Sequence, residues 1–156
     1  MTPLFASSAA PRLDREGLAA LIPHRGAMCL LSALDDWDDV RIVCAATGHR
    51  DPDHPLRTAA GLPAAAAIEY AAQAAALHGG LRARAAGGQA APGYLASARG
   101  VVFHRLRLDD LPGALAVTAT CQAGDAHQLL YAFTVAHAGE PVVQGRLAVV
   151  LDTPLP

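Results

Sequence analysis

The 156-residue sequence predicts an α+β fold, an antiparallel β-sheet wrapped around one long central helix. Three observations point there. One long segment, residues 63–84, is rich in alanine, opens on Pro63 and is followed by Gly87-Gly88. The C-terminal half is a series of β-branched and aromatic runs separated by short turn signals. Two more strand-like runs precede the helix, so the order is strands, helix, strands rather than a regular βαβ alternation.

Along the chain, residues 1–13 read as a flexible tail and 14–156 as a single domain, long enough to enclose its own core. DREGLAALI (14–22) is a short helix with Asp14 as N-cap and Pro23 as its stop. AMCLLSAL (27–34) is a first strand, turned by DDWDD, and VRIVCAAT (40–47) is a second. A loop of roughly 14 residues follows, a length that in compact domains usually marks function. After the helix come GYLASARGVVFHRLRL (93–108), ALAVTATCQA (114–123), HQLLYAFTVAHA (127–138) and PVVQGRLAVVL (141–151). LPG, AGD and AGE supply the turns between them.

Composition excludes several classes. Hydrophobic residues are 53% and charged residues 17%, which argues against disorder. A net charge of −2 gives no nucleic-acid footprint. All 12 cationic residues are arginine, so neither Schiff-base chemistry nor a P-loop lysine is available. Cys29, Cys44 and Cys121 are far apart and form no CxxC, so neither a zinc site nor a disulfide framework is suggested. Cys29 and Cys44 lie in apolar runs and read as buried thiols. No signal peptide and no membrane span are legible, so a reducing cytoplasm is the expected compartment.

The chemistry concentrates in TGHRDPDHPLRTAAGLPAAAAIEY (47–70). His49 and His54 sit in a proline-broken loop, and Glu69 stands alone among alanines. Histidine titrates near neutrality and suits a general base. A helix start offers free N–H groups to a carbonyl oxygen. A carboxylate among apolar side chains can hold a proton to deliver. Gln73 is four residues after Glu69, on the same helix face, placed to orient it. The plainer readings are a surface loop histidine at either position and an exposed helix glutamate. His24 and His78 read as structural, and His104, His127 and His137 show no metal-ligand spacing. Arg57 is either a phosphate partner or a loop cation. Arg82, Arg84, Arg99, Arg105 and Arg107 form either a basic patch or solvated surface.

LIPHRGAMCLLSAL (21–34), Gly48-His49, Leu62-Pro63 and Glu69-Tyr70-Ala71-Ala72-Gln73 resemble the 3-hydroxyacyl-acyl-carrier-protein dehydratases. That family shows LPHR…LL, Gly-His-Phe-Pro-Gly-x-Pro, then Pro-Gly and a helix with Glu-x-x-x-Gln. HRDPDHPLR, LPAAAAIEYAAQAAALHG, PGYLAS and LDDLPG are more similar still to a divergent branch associated with aryl polyene biosynthesis. The resemblance implies a hotdog fold and dehydration of 3-hydroxyacyl thioesters on acyl carrier protein to trans-2-enoyl thioesters. It implies His49 as base and Glu69 as acid, with His54, Pro63, Ala64 and Gln73 at the substrate. His54 is the rival base: it lies nine residues before Pro63 and His49 lies 14 before it, against about eight in the family. Ala64 replaces the family's glycine and keeps its N–H. No metal, nucleotide or redox cofactor is implied. The implied partners are acyl carrier protein and a second hotdog subunit, in a homodimer or heterodimer, with no nucleic acid and no membrane. A helper subunit of a heterodimeric dehydratase, or an acyl thioesterase on the same fold, are the alternative readings.

Overall fold

The computed structural model describes residues 13–22, 26–88 and 93–151. Residues 1–12, and the positions of Pro23 and His24, lie outside the described residues. Two α-helices and six strands form the domain: α1 (Arg15–Ala19), β1 (Ala33–Trp37), β2 (Arg41–Ala46), α2 (Ala66–Ala85), β3 (Gly93–Phe103), β4 (Leu115–Gly124), β5 (Gln128–His137) and β6 (Glu140–Leu151). The strands make one antiparallel sheet in the order β1-β2-β4-β5-β6-β3. Helix α2 packs on one face of it, which is the hotdog arrangement.

The alanines of α2 explain the close fit. Ala67, Ala71, Ala74 and Ala75 are buried against the sheet together with Tyr70, Leu77 and His78. Small side chains let the sheet approach the helix backbone, and alanine has the highest helix propensity. From β4 and β5, Leu115, Val117, Ala119, Tyr131, Phe133 and Val135 alternate inward to meet it. His78 ties α2 to the β1–β2 turn and to β5. Its Nε2–H donates to the Asp38 carbonyl at 2.8 Å, and its Nδ1 accepts the Tyr131 hydroxyl at 2.8 Å. The β5–β6 turn, Ala138-Gly139, has positive φ at both residues, the geometry that two-residue hairpins favour.

Four boundaries differ from the sequence reading, the first being α2, which begins at Ala66 and not at Pro63. Of the segment 27–34 only Ala33 and Leu34 are strand: a 3-10 turn spans Gly26–Met28 and β1 begins at Ala33. The reason is Gln73 of α2. Its amide accepts the Leu30 N–H at 2.9 Å and donates to the Met28 carbonyl at 2.6 Å, so this backbone pairs with a side chain instead of a strand. The turn then falls at residues 38–40, where the Asp38 carboxylate accepts the N–H groups of Val40 and Arg41 at 2.8 Å each. Strand β3 ends at Phe103, not 108, because Leu106 and Leu108 bond across to Ala64 and Leu62. Helix α1 is shorter than 14–22, although Asp14 caps it as expected, accepting the Gly17 N–H at 3.0 Å. Cys29 and Cys44 are buried free thiols, and burial pushes the Cys44 thiol up to about 12.

Candidate functional site

After β2 a 3-10 turn at Gly48–Arg50 leads into the proline-broken loop. The loop is folded by its own polar groups. The Asp51 carboxylate accepts the Asp53 N–H at 2.8 Å, and the Asp51 carbonyl accepts the His54 N–H at 3.1 Å. These turns bring His54 over α2, where its Nε2 lies 2.9 Å from the Tyr70 hydroxyl and the two rings stack at 6.0 Å. Both residues line a cavity of about 110 Å³, with Arg15, Cys29, Thr47 and Asp51 among its other walls.

The protonation of His54 follows from its partners. The Leu56 backbone N–H donates to His54 Nδ1 at 3.1 Å. A backbone amide can only donate, so the neutral ring carries its proton on Nε2 and gives it to Tyr70. Burial pushes the His54 ring below its usual pKa, with the nearby Asp51 carboxylate working against this. The Tyr70 hydroxyl is pushed up to about 12, also by burial. The pair is therefore neutral at neutral pH, and its ring nitrogens are both engaged.

His49 lies elsewhere. It is fully buried, and its Nε2–H donates to the Leu111 carbonyl at 2.7 Å. Its Nδ1 is buried without a partner among the described residues. Its neighbour Gly48 lines the cavity, but His49 and Glu69 are not among the lining residues. Glu69 is half-buried on α2, and Gln73 Nε2 donates to it at 3.3 Å. The spacing of four thus joins glutamate and glutamine, and the same glutamine also holds residues 28–30.

The helix start is fastened rather than open. The Ala64 N–H donates to the Leu106 carbonyl at 2.9 Å, and Pro63 forms a bridge with Arg107. Asp109 braces this junction: it accepts the Leu62 N–H at 3.0 Å and pairs with Arg107 at 2.6 Å and Arg57 at 3.5 Å. The Arg107 hydrogen bonds hold its carboxyl well below the usual carboxylate range. Arg57 and Arg107 are thus committed to Asp109, and Arg82 reaches Cys121 Sγ at 3.7 Å. Among the described residues no cluster of His, Cys, Asp or Glu could hold a metal ion. No helix among them is long and apolar enough to cross a membrane.

Tyr70 and Leu56 escaped the sequence reading. The signal for Tyr70 was its hydroxyl, which a tyrosine on the buried face of a helix must satisfy. Nothing in the sequence marks the Leu56 amide.

A sheet of this order around one helix, with a histidine loop facing the helix start, defines the hotdog-fold enzymes of dehydratase and thioesterase type. Within them the chain belongs to the ApeP-like family, described as ApeP dehydratase, whose model matches residues 17–154. Among solved structures it is similar to the dehydratase heterocomplex ApeI:P from Xenorhabdus doucetiae, at 23% identity and a TM-score of 0.79, covering 88% of this chain and 91% of that one. A thioesterase from Haemophilus influenzae is similar at 15% identity and a TM-score of 0.64, covering 92% and 94%. A mutant thioesterase from Pseudomonas aeruginosa is similar at 16% identity and a TM-score of 0.59, covering 89% and 94%. No curated protein sequence matches the chain significantly.

Proposed function

We propose that this chain is the helper subunit of a two-subunit hotdog dehydratase acting on 3-hydroxyacyl thioesters carried by acyl carrier protein. It does not supply the base. One observation carries this reading: the Leu56 N–H occupies His54 Nδ1, so the neutral ring has no lone pair at Nε2 to accept the C2 proton. His49 retains an acceptor nitrogen, but it is sealed in the interior. The Ala64 N–H, which would hold the thioester carbonyl, is already given to Leu106. The two groups that dehydration needs first are therefore both engaged within this subunit.

The edge of the sheet supports a partner. Strand β3 closes the strand order and, among the described residues, pairs on one side only, with β6. It exposes Tyr94, Leu95, Val102 and Phe103, an apolar edge that a soluble protein ordinarily covers. A related hotdog subunit adding its own edge strand would cover it, and the similar structure from Xenorhabdus doucetiae is by name a dehydratase heterocomplex. In the composite site the partner provides the base. Glu69, oriented by Gln73, is the acid that this chain contributes.

The test is enoyl formation on a 3-hydroxyacyl carrier protein, followed by mass spectrometry. The chain alone should give none, and mixing with a related hotdog subunit should restore it. In the mixture H54A should change turnover by less than about threefold. E69Q should lower it roughly 10²–10⁴-fold, the range for a general acid. Dehydration by the chain alone, abolished by H54A, would overturn the proposal. Release of free acid and thiol would identify a thioesterase instead.

A further inference from the structure

The sheet carries a second cavity, on the face turned away from α2. The β3–β6 register sets Arg99 directly opposite Arg146, and Ala132 of β5 pairs with Arg146 from the other side. The intervening residues Phe133 and Leu147 point into the core, so the two arginines share the outer face. A bulge in β3 follows Arg99. Gly100 has φ +58, and the Arg146 guanidinium lies over it, its Nη2 3.6 Å from where a Cβ would stand.

Like charges directly opposite on paired strands destabilise a sheet unless something offsets them. Among the described residues nothing does so: neither guanidinium has an ion pair or a side-chain hydrogen bond there. Around them lies a cavity of about 570 Å³, to which Ser97, Gln122 and Gln128 add hydrogen-bonding groups and Leu130 an apolar floor. That volume falls within the range of about 300–1,000 Å³ of small-molecule sites. Two guanidinium forks with neutral donors beside them match the oxygens of a phosphate, and the remaining volume accommodates an organic body.

We propose that the Arg99–Arg146 cavity on the outer face of the sheet binds an organic phosphate monoester. This rests on the outer face of the sheet and stands apart from the helper role proposed for the chain. Calorimetric titration of the full chain with 4′-phosphopantetheine and adenosine 5′-monophosphate, each against its dephosphorylated form and inorganic phosphate, tests it. At least one phosphorylated compound should bind at least tenfold more tightly than its dephosphorylated form and than inorganic phosphate. R99A and R146A should each weaken that binding at least tenfold, and R84A, which removes the same charge elsewhere, should not. R99A should also raise the melting temperature without ligand, because it removes the repulsion, and abolish the rise that the bound phosphate gives. Equal affinity with and without the phosphate, loss of binding in R84A as in R99A, or no binding of either compound would overturn the assignment.

Discussion

His54 gives its Nε2 proton to the Tyr70 hydroxyl across 2.9 Å, and both side chains are buried where the loop meets the long helix. With Leu56 donating to Nδ1, the histidine is locked in one tautomer from both ends. The ring is thereby a hydrogen-bond donor facing the helix, the reverse of what a histidine base requires.

Nitrogen NMR of the imidazole should therefore show a neutral His54 protonated at Nε2 at pH 7. In Y70F the Nε2–H loses its acceptor. Stability should drop by roughly 1–3 kcal/mol, the penalty for an unpaired buried donor, and the His54 pKa should fall further. A ring protonated at Nδ1 would contradict the geometry and return His54 to the role of base.

Gln73 should be structural before it is anything else. It is fully buried and joins Leu30, Met28 and Glu69 in one network. Q73L leaves a buried N–H and a carbonyl unpaired, each worth roughly 1–3 kcal/mol. Denaturant titration should show the loss in full. Amide exchange should rise more at Leu30 than in β5, whose core amides follow the global loss alone. Uniform loosening of the whole sheet would mean that Gln73 does not hold this segment specifically.

Gly61 should tolerate no side chain. Its φ is +108, and a Cβ would stand 2.6 Å from Asp109 Oδ1, the oxygen that also receives the Leu62 N–H. Asp109 cannot yield without leaving Arg107 and Arg57. G61A should cost roughly 1–3 kcal/mol through strained backbone. The double variant with D109A relieves the clash but loses the ion pairs, so the two losses should not add. Additive losses in the cycle would show that Gly61 and Asp109 act independently.

Much of this architecture was legible because alternation and turn residues are local signals. The strands 41–46, 115–124, 128–137 and 140–151 stand within about two residues of their expected limits. What was hidden depends on contacts between distant segments. Residues 27–34 carry a strand's composition, but Gln73, more than forty positions away, takes their backbone. The choice between His49 and His54 rests on a 3-10 turn that rotates His49 inward to Leu111. Sequence spacing placed both histidines near the helix and had no means to decide which one faces the cavity. The Glu69–Gln73 contact, by contrast, follows from helix periodicity alone.

The buried histidines also predict how stability depends on pH. Burial holds both His54 and His78 below the ordinary histidine pKa in the folded chain. The unfolded chain binds their protons from about pH 6.5 downward. Between that pH and the folded values the unfolded state carries more protons, so stability is full above about pH 6.5 and declines as pH falls. The slope is at most about 1.4 kcal/mol per pH unit for each ring. Asp38, Asp109 and Asp125, held below the usual carboxylate range, act only under about pH 4 and leave this window clear. His78 is the cleaner probe, because it lies away from the cavity and bonds Asp38 and Tyr131. H78Q should lower stability at pH 8 yet lose part of the decline between pH 8 and 5.5, read from urea midpoints. A decline as steep as in the parent would show that His78 does not titrate with unfolding.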